Sequence, residues 1–291
     1  MTGFSYAEFV TRNIGFVTAA EQERLRAARI FVCGVGGMGG ACLQALVRAG
    51  VGGFGVADID VFELSNLNRQ VFADLATVGR DKAQATVERL RAVNPEAAIE
   101  VFGADWPARL DELLPRYPVV VNGMDDVRAG IALYRKAREH RATVIDAYTS
   151  PLPSVAVVGP DDPRPEERLG FPSLGRAPEA LSEADRAACA ALEIEYVLVN
   201  SSSARHVDVG AAGEMIAGKR KRMSFAPMVI TTGNLMAFEA VKLALGRRPV
   251  ADCRGYFFNP WTMRVERPRS APVAWVLRFA VRRFLARLAS A

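Results

Sequence analysis

A glycine-rich turn set between two apolar runs restricts this chain more than any other feature. Arg29-Ile30-Phe31-Val32-Cys33 leads into Gly34-Val35-Gly36-Gly37-Met38-Gly39, and a second apolar run ends at Asp58-Ile59-Asp60. Gly34 lets the chain turn sharply after a strand, while Gly36 and Gly37 expose backbone N–H groups with no Cβ in the way. The spacing predicts a strand over 29–33, a helix over 39–49 closed by Gly50-Val51-Gly52-Gly53, and a strand over 54–58.

The alternation continues through a helix over 80–93 ended by Asn94-Pro95, strands over 99–102 and 119–122, a helix over 126–139 and a strand over 143–146. Strand and helix in turn over some 150 residues predict an α/β fold with a doubly wound, mostly parallel, Rossmann-like sheet. Residues 5–28 read as helical, with Thr18-Ala19-Ala20-Glu21 a capping box that starts a helix through Leu25 and Ala28. After Val158 the pattern breaks: 159–180 reads as a proline-rich loop, 181–192 as a helix, 195–200 as a strand, and 204–224 as polar and basic. A helix over 231–245 and a hairpin around Asn259-Pro260-Trp261-Thr262 then give a C-terminal antiparallel extension. The tail ends in an amphipathic helix with Val273, Val276, Leu277, Ala280, Phe284 and Leu288 on one side and Arg278, Arg282, Arg283 and Arg287 on the other. The segments are therefore an N-terminal core over 1–158, a variable segment over 159–224, the remainder of the core over 225–268, and the tail over 269–291.

Composition narrows the function classes. The 291 residues carry 37 basic and 32 acidic side chains, a net charge of +5. Much of the excess sits in Lys219-Arg220-Lys221-Arg222 and in the tail, so the basicity is local and no nucleic-acid face is expected. The four cysteines, Cys33, Cys42, Cys189 and Cys253, show no Cys-x-x-Cys spacing, and with two histidines no zinc site is expected. No signal-peptide layout or uncharged membrane-spanning stretch is legible, which makes a cytoplasmic protein the expectation.

Gly34, Gly36, Gly37 and Gly39 with Asp58 suit any nucleotide, because NAD and ATP both carry a pyrophosphate and a ribose. Up to that point the two readings tie. Asn66, Asn68, Arg69 and Gln70 then form a dense polar set, and Lys82 opens the next helix against its dipole. A triphosphate under attack builds charge on its departing pyrophosphate and needs such cations, with magnesium. Asp125 and Asp126 follow a strand at its carboxyl end, where one carboxylate holds magnesium or caps the helix behind it, or does both.

The chain resembles the ThiF/MoeB/HesA adenylyltransferases, relatives of the ubiquitin-activating enzymes. The resemblance rests on the glycine turn, Asp58-Ile59-Asp60, Ser65-Asn66-Leu67-Asn68-Arg69-Gln70, Val78-Gly79-Arg80-Asp81-Lys82, Asn94-Pro95 and Gly123-Met124-Asp125-Asp126. It covers residues 9–158 well and 224–265 loosely. It implies ATP on the glycine turn, ribose on Asp58, phosphates on Asn66, Arg69 and Lys82, magnesium on Asp125, and a homodimer in which Arg12 reaches the partner's ATP. Asp60 and Gln70 complete the expected nucleotide set. The implied reaction is attack of a carboxylate, from a ubiquitin-like carrier, a peptide or a small metabolite, on the α-phosphorus. The family's zinc cysteines and frequent thioester cysteine are absent, and Cys189 lies in a helix-like run, so direct attack by a non-cysteine nucleophile is expected. The competing readings are an NAD(P)-dependent oxidoreductase, which leaves Arg69 and Lys82 without a task, and a silent ATP-binding scaffold. For the tail, packing on its own domain or a partner subunit is favoured over peripheral membrane contact.

Overall fold

The computed structural model describes residues 3–216 and 218–289, with the side chains of Ile216, Leu288 and Ala289 outside the description. The side chain of Leu288, placed on the apolar side of the tail, and the extreme ends of the first and last segments therefore lie outside the description.

Two short helices, α1 (Tyr6–Phe9) and α2 (Ala19–Ala27), precede strand β1 (Arg29–Cys33). Then come α3 (Gly37–Arg48), β2 (Gly53–Ala57), α4 (Lys82–Val93), β3 (Ala98–Phe102), α5 (Leu110–Leu113), β4 (Val119–Asn122), α6 (Val127–Glu139), β5 (Thr143–Asp146) and β6 (Ser154–Val158). The second half holds α7 (Pro165–Leu169), α8 (Glu183–Asn200), α9 (Val209–Ile216), α10 (Ala226–Ala244), β7 (Tyr256–Asn259), β8 (Arg264–Glu266) and α11 (Ala271–Ala289). The eight strands form one sheet in the order β3-β2-β1-β4-β5-β6-β7-β8. β1 to β5 are parallel, and β6, β7 and β8 continue the sheet antiparallel, as the sequence predicts. The order reverses between β1 and β4, which opens a crevice beyond their carboxyl ends. Among the described residues no helix is long and apolar enough to cross a membrane.

Helix α10 presses on α3 from one side of the sheet. A Cβ on Gly233 would stand 2.5 Å from the Met38 carbonyl oxygen and 2.6 Å from the Ala41 Cβ, so only glycine permits this approach. Pro227 in the first turn fixes the start of α10 ahead of the predicted residue 231.

Several expectations are corrected. Residues 5–28 are helical only in part, since the chain breaks at Val10 and turns at Gly15, while α2 starts at the Thr18 capping box as expected, with Thr18 Oγ1 accepting from Glu21 N at 3.2 Å. Residues 195–200 continue α8 instead of forming a strand. Ser182 caps α8, no breaker intervenes before Ser201, and extending a formed helix gains one hydrogen bond per residue. The stretches read as loop or as merely polar contain α7 and α9. In the tail the side turned toward the protein is Ala274, Leu277, Val281 and Phe284, while Val273 and Val276 are exposed. The docking partner, not the strongest apolar periodicity, selects that side.

Gly233→Ala is expected to destabilise the protein by about 1–3 kcal/mol through overpacking between α3 and α10. Urea denaturation checks this, and an unchanged midpoint means the helices separate freely.

Candidate functional site

The crevice is built from turns that end strands. Gly34 follows β1 with φ +81°, and a Cβ there would lie 2.7 Å from the Gly123 carbonyl, so the turns after β1 and β4 touch through backbone alone. A Cβ on Gly39 would meet the Gly34 oxygen at 1.9 Å, which holds the first turn of α3 tight against the strand end. The first N–H groups of that helix have no upstream acceptor within it and carry its positive dipole end. Gln70 lies over Gly36, its Nε2 3.5 Å from where a Cβ would stand. Its Oε1 is buried and without a donor, an acceptor waiting for a partner at the glycine turn.

Asp58 at the end of β2 ties this turn down: its carboxylate accepts from Val35 N at 2.8 Å and from Asp60 N at 3.0 Å. Burial pushes its carboxyl above the ordinary range. A carboxylate has about four lone-pair sites, so these bonds leave capacity for further donors. Asn66 is buried, and its Oδ1 accepts from Glu63 N at 3.1 Å. Arg69 donates to the Ser65 carbonyl at 2.8 Å and to Asn68 Oδ1 at 3.0 Å, which fixes its guanidinium. Burial, then the nearby Arg222 cation, hold the Arg69 pKa below its usual value. Lys82, first residue of α4, is buried and pairs with the largely exposed Asp60 at 2.8 Å, while Asp81 takes the cap by accepting from Gln84 N.

Beyond β4 one of the two adjacent aspartates serves as a helix cap and the other does not. Asp126 caps α6, accepting from Arg128 N at 2.8 Å and Ala129 N at 3.1 Å. Asp125 is exposed, and among the described residues its carboxylate meets no donor. It stands at the mouth of a cavity of about 160 Å³ that also takes in Asn122, Tyr134, Asp146, Arg168 and Glu193. Asp146 accepts from the Tyr134 hydroxyl and from Asn122 Nδ2, the latter at 2.9 Å. Burial raises its pKa to about 6 and also raises that of Glu193. Arg168 bonds the Tyr148 hydroxyl at 2.8 Å, yet its Nε and one terminal nitrogen are buried without a partner.

The fold therefore gathers Gly34, Gly36, Gly37, Gly39, Asp58, Asp60, Asn66, Arg69, Gln70, Lys82 and Asp125 along the carboxyl edge of the sheet. Arg12 is not among them. Its neighbour Asn13 bonds the Ala49 carbonyl at the far end of α3, and twelve residues of helix put that end ~18 Å from the glycine turn. Arg222 was legible only as part of a basic run. Asn68 anchors that run by bonding the Ser224 carbonyl at 3.1 Å, and Arg222 lines the cavity while its charge reaches Arg69. Arg168, Asp146 and Glu193 carry no motif and converge only through the fold. Cys189 is buried within α8, where burial pushes its thiol up and away from the nucleophilic thiolate. Among the described residues no three His, Cys, Asp or Glu side chains are grouped to hold a metal ion. A single free carboxylate suits magnesium, which takes one or two carboxylates together with phosphate oxygens. The glycine contacts and the paired cations likewise suit a polyphosphate, while the Gln70 oxygen calls for a donor, such as a hydroxyl, rather than a phosphate oxygen.

A family model described as ThiF family matches residues 10–273. The chain is 43% identical over 110 residues to a sulfur carrier protein adenylyltransferase of Thermus thermophilus, covering 36% of this chain and 39% of that one. It is 33% identical over 125 residues to a tRNA threonylcarbamoyladenosine dehydratase of Haemophilus influenzae, covering 42% of this chain and 48% of that one. The matches thus span less than half the length of either relative. A crystal structure of PaaA shares the fold with a TM-score of 0.60 at 21% identity, over 92% of this chain and 76% of that one.

The recessed Asp146 makes stability depend on pH. Its folded pKa of about 6 lies above the unfolded carboxylate value of about 4. Between these values the folded state keeps a proton that the unfolded chain has released, so stability falls as pH rises through that window and levels off above it. Wild type is expected to lose on the order of 2 kcal/mol more than Asp146→Asn between pH 4 and pH 7. Parallel pH slopes of the two proteins in urea titrations would refute this, whatever constant offset separates them.

Proposed function

We propose that this chain, which belongs to the ThiF family, adenylates a carboxylate with ATP. The observation that carries the reading is the backbone contact between the Gly34 and Gly123 turns, which brings the unpartnered Asp125 beside the glycine turn on one side and the cavity on the other. A polyphosphate on the first turn of α3 and a carboxylate entering from the cavity then meet at one place. The carboxylate oxygen attacks the α-phosphorus, a C(O)–O–P linkage forms, the bond to the β-phosphate breaks, and pyrophosphate leaves. The transferred group requires no proton.

In this reading Gly34, Gly36, Gly37 and Gly39 let the backbone approach the phosphates, Gln70 and Asn66 supply polar contacts, and Asp58 accepts from the ribose. Arg69 and Lys82 stabilise charge growing on the leaving pyrophosphate, which is where fixed cations accelerate such a step. Asp125 would hold a magnesium ion, which would supply further charge neutralisation at the phosphates. Arg12 lies too far from its own glycine turn to join this set, which favours a homodimer in which it serves the partner's site. The sulfur-carrier relative supports a carrier or peptide C-terminus as the substrate. The dehydratase relative shows that names within this similarity range extend to a different outcome, so a small carboxylate belongs to the same proposal. Cys189 and Cys253 line the cavity, but burial pushes both thiols up and away from the nucleophilic thiolate, which favours passage of the adenylate to a non-cysteine nucleophile.

Two outcomes test the reading. Asp125→Ala is expected to cut carboxylate-dependent ATP–pyrophosphate exchange at least ~100-fold with an unchanged circular dichroism spectrum. Undiminished exchange removes the magnesium assignment, and absence of exchange in wild type across a panel of carrier tails, peptides and metabolites favours the silent scaffold. Separately, inactive Arg12→Ala and Asp125→Ala proteins, unfolded and refolded together, are expected to regain about a quarter of wild-type activity. Half of the resulting dimers are mixed, and each mixed dimer holds one complete site. No regain means Arg12 does not act across subunits.

A further inference from the structure

Helix α11 carries two apolar stripes, and the protein covers one. Ala274, Leu277, Val281 and Phe284 face inward as the helix packs on α8 and α9. Arg278 and Arg282 fasten this side through Glu195 of α8, at 3.8 and 2.7 Å. On the other side Trp275, Val276 and Phe279 fall on one helical face and are 76%, 61% and 67% exposed. Arg283 lies over the Phe279 ring at 5.7 Å. The β7–β8 hairpin is held at the carboxyl end of α8 by the bond from Ser202 N to Glu266, and Arg269 N bonds Asn200 there as the chain enters α11. Its turn adds exposed Trp261 and Met263 at the end where α11 begins.

We propose that the outer stripe of α11 docks on an anionic lipid surface, with the helix lying flat along it. The charge pattern selects this occupant. Between residues 264 and 287 every cation is an arginine, and Glu266 is the one acid. A two-fold contact with a second copy would set this basic patch against itself, and like charges in register are costly. The exposed stripe also offers on the order of 400 Å² of apolar surface, against about 800 Å² per partner in a stable protein interface. A lipid surface needs less, because apolar insertion and attraction to phosphate headgroups add, at about 1 kcal/mol per basic residue near the surface. The arginine fork matches phosphate oxygens in pairs, and Trp and Phe beside it suit the headgroup boundary. The inference does not depend on the adenylation chemistry.

Sedimentation of the full chain with vesicles tests it. Binding to phosphatidylcholine vesicles containing phosphatidylserine is expected to exceed binding to pure phosphatidylcholine by at least about tenfold and to fall as salt rises. Trp275→Ala with Phe279→Ala, both at exposed positions, is expected to abolish the difference while leaving the melting temperature and ATP–pyrophosphate exchange unchanged. Equal binding to neutral vesicles, no binding to either, or full binding by the double variant overturns the proposal. So does a dimer in light scattering that the double variant loses, or an RNA oligonucleotide that binds through the same two residues in preference to the vesicles.

Discussion

Everything at this site depends on two strand ends touching without side chains between them. Gly34 and Gly123 bring the turns after β1 and β4 into backbone contact where the sheet reverses its order, and a single methyl group at either position would drive them apart. Gly39 adds a third point of contact by letting α3 start directly against the Gly34 carbonyl. The crevice is thus shaped by close packing of main chain, which has few ways to relax. Side chains then decorate a fixed frame: Asp58 pins the first turn through Val35, and α10 braces α3 from behind through Gly233.

Polar groups on this frame fall into two kinds. Asp58, Asp126, Asp146 and Asn122 each have hydrogen-bond partners within the protein, Asp58 with capacity to spare. Asp125, the Gln70 oxygen and part of Arg168 do not. The Gln70 oxygen and the Arg168 nitrogens are buried, and buried polar groups left open carry a cost that folding alone does not recover, whereas Asp125 is exposed to solvent. They lie on both sides of the Gly123 turn, which is why the crevice and the cavity read as one functional unit.

Much of this was legible in the sequence because it rests on local chemistry. The glycine turn, the alternating strands and helices and the Thr18 capping box each follow from residues within one or two turns of each other. What stayed hidden depends on distant neighbours. Residues 195–200 have the composition of a strand, but the cap at Ser182 had already committed the segment to helix. Asp125 and Asp126 are equivalent as letters, and only the direction of α6 tells the cap from the free carboxylate. Arg168, Asp146 and Glu193 come from three separate elements, so no spacing announces them. The apolar side expected for α11 matches the inward face only at Leu277 and Phe284, because the helix is apolar on two sides and the sequence does not say which one its neighbour takes.

The Lys82–Asp60 pair has a consequence for the resting protein. A lysine stem already seated in the core has surrendered most of its rotational freedom before any ligand arrives, so exchanging Asp60 for an incoming anion costs little additional order. Meanwhile its charge is answered locally by Asp60. Asp60 is largely exposed, so on the reading proposed above it is the partner that an incoming anion has to displace.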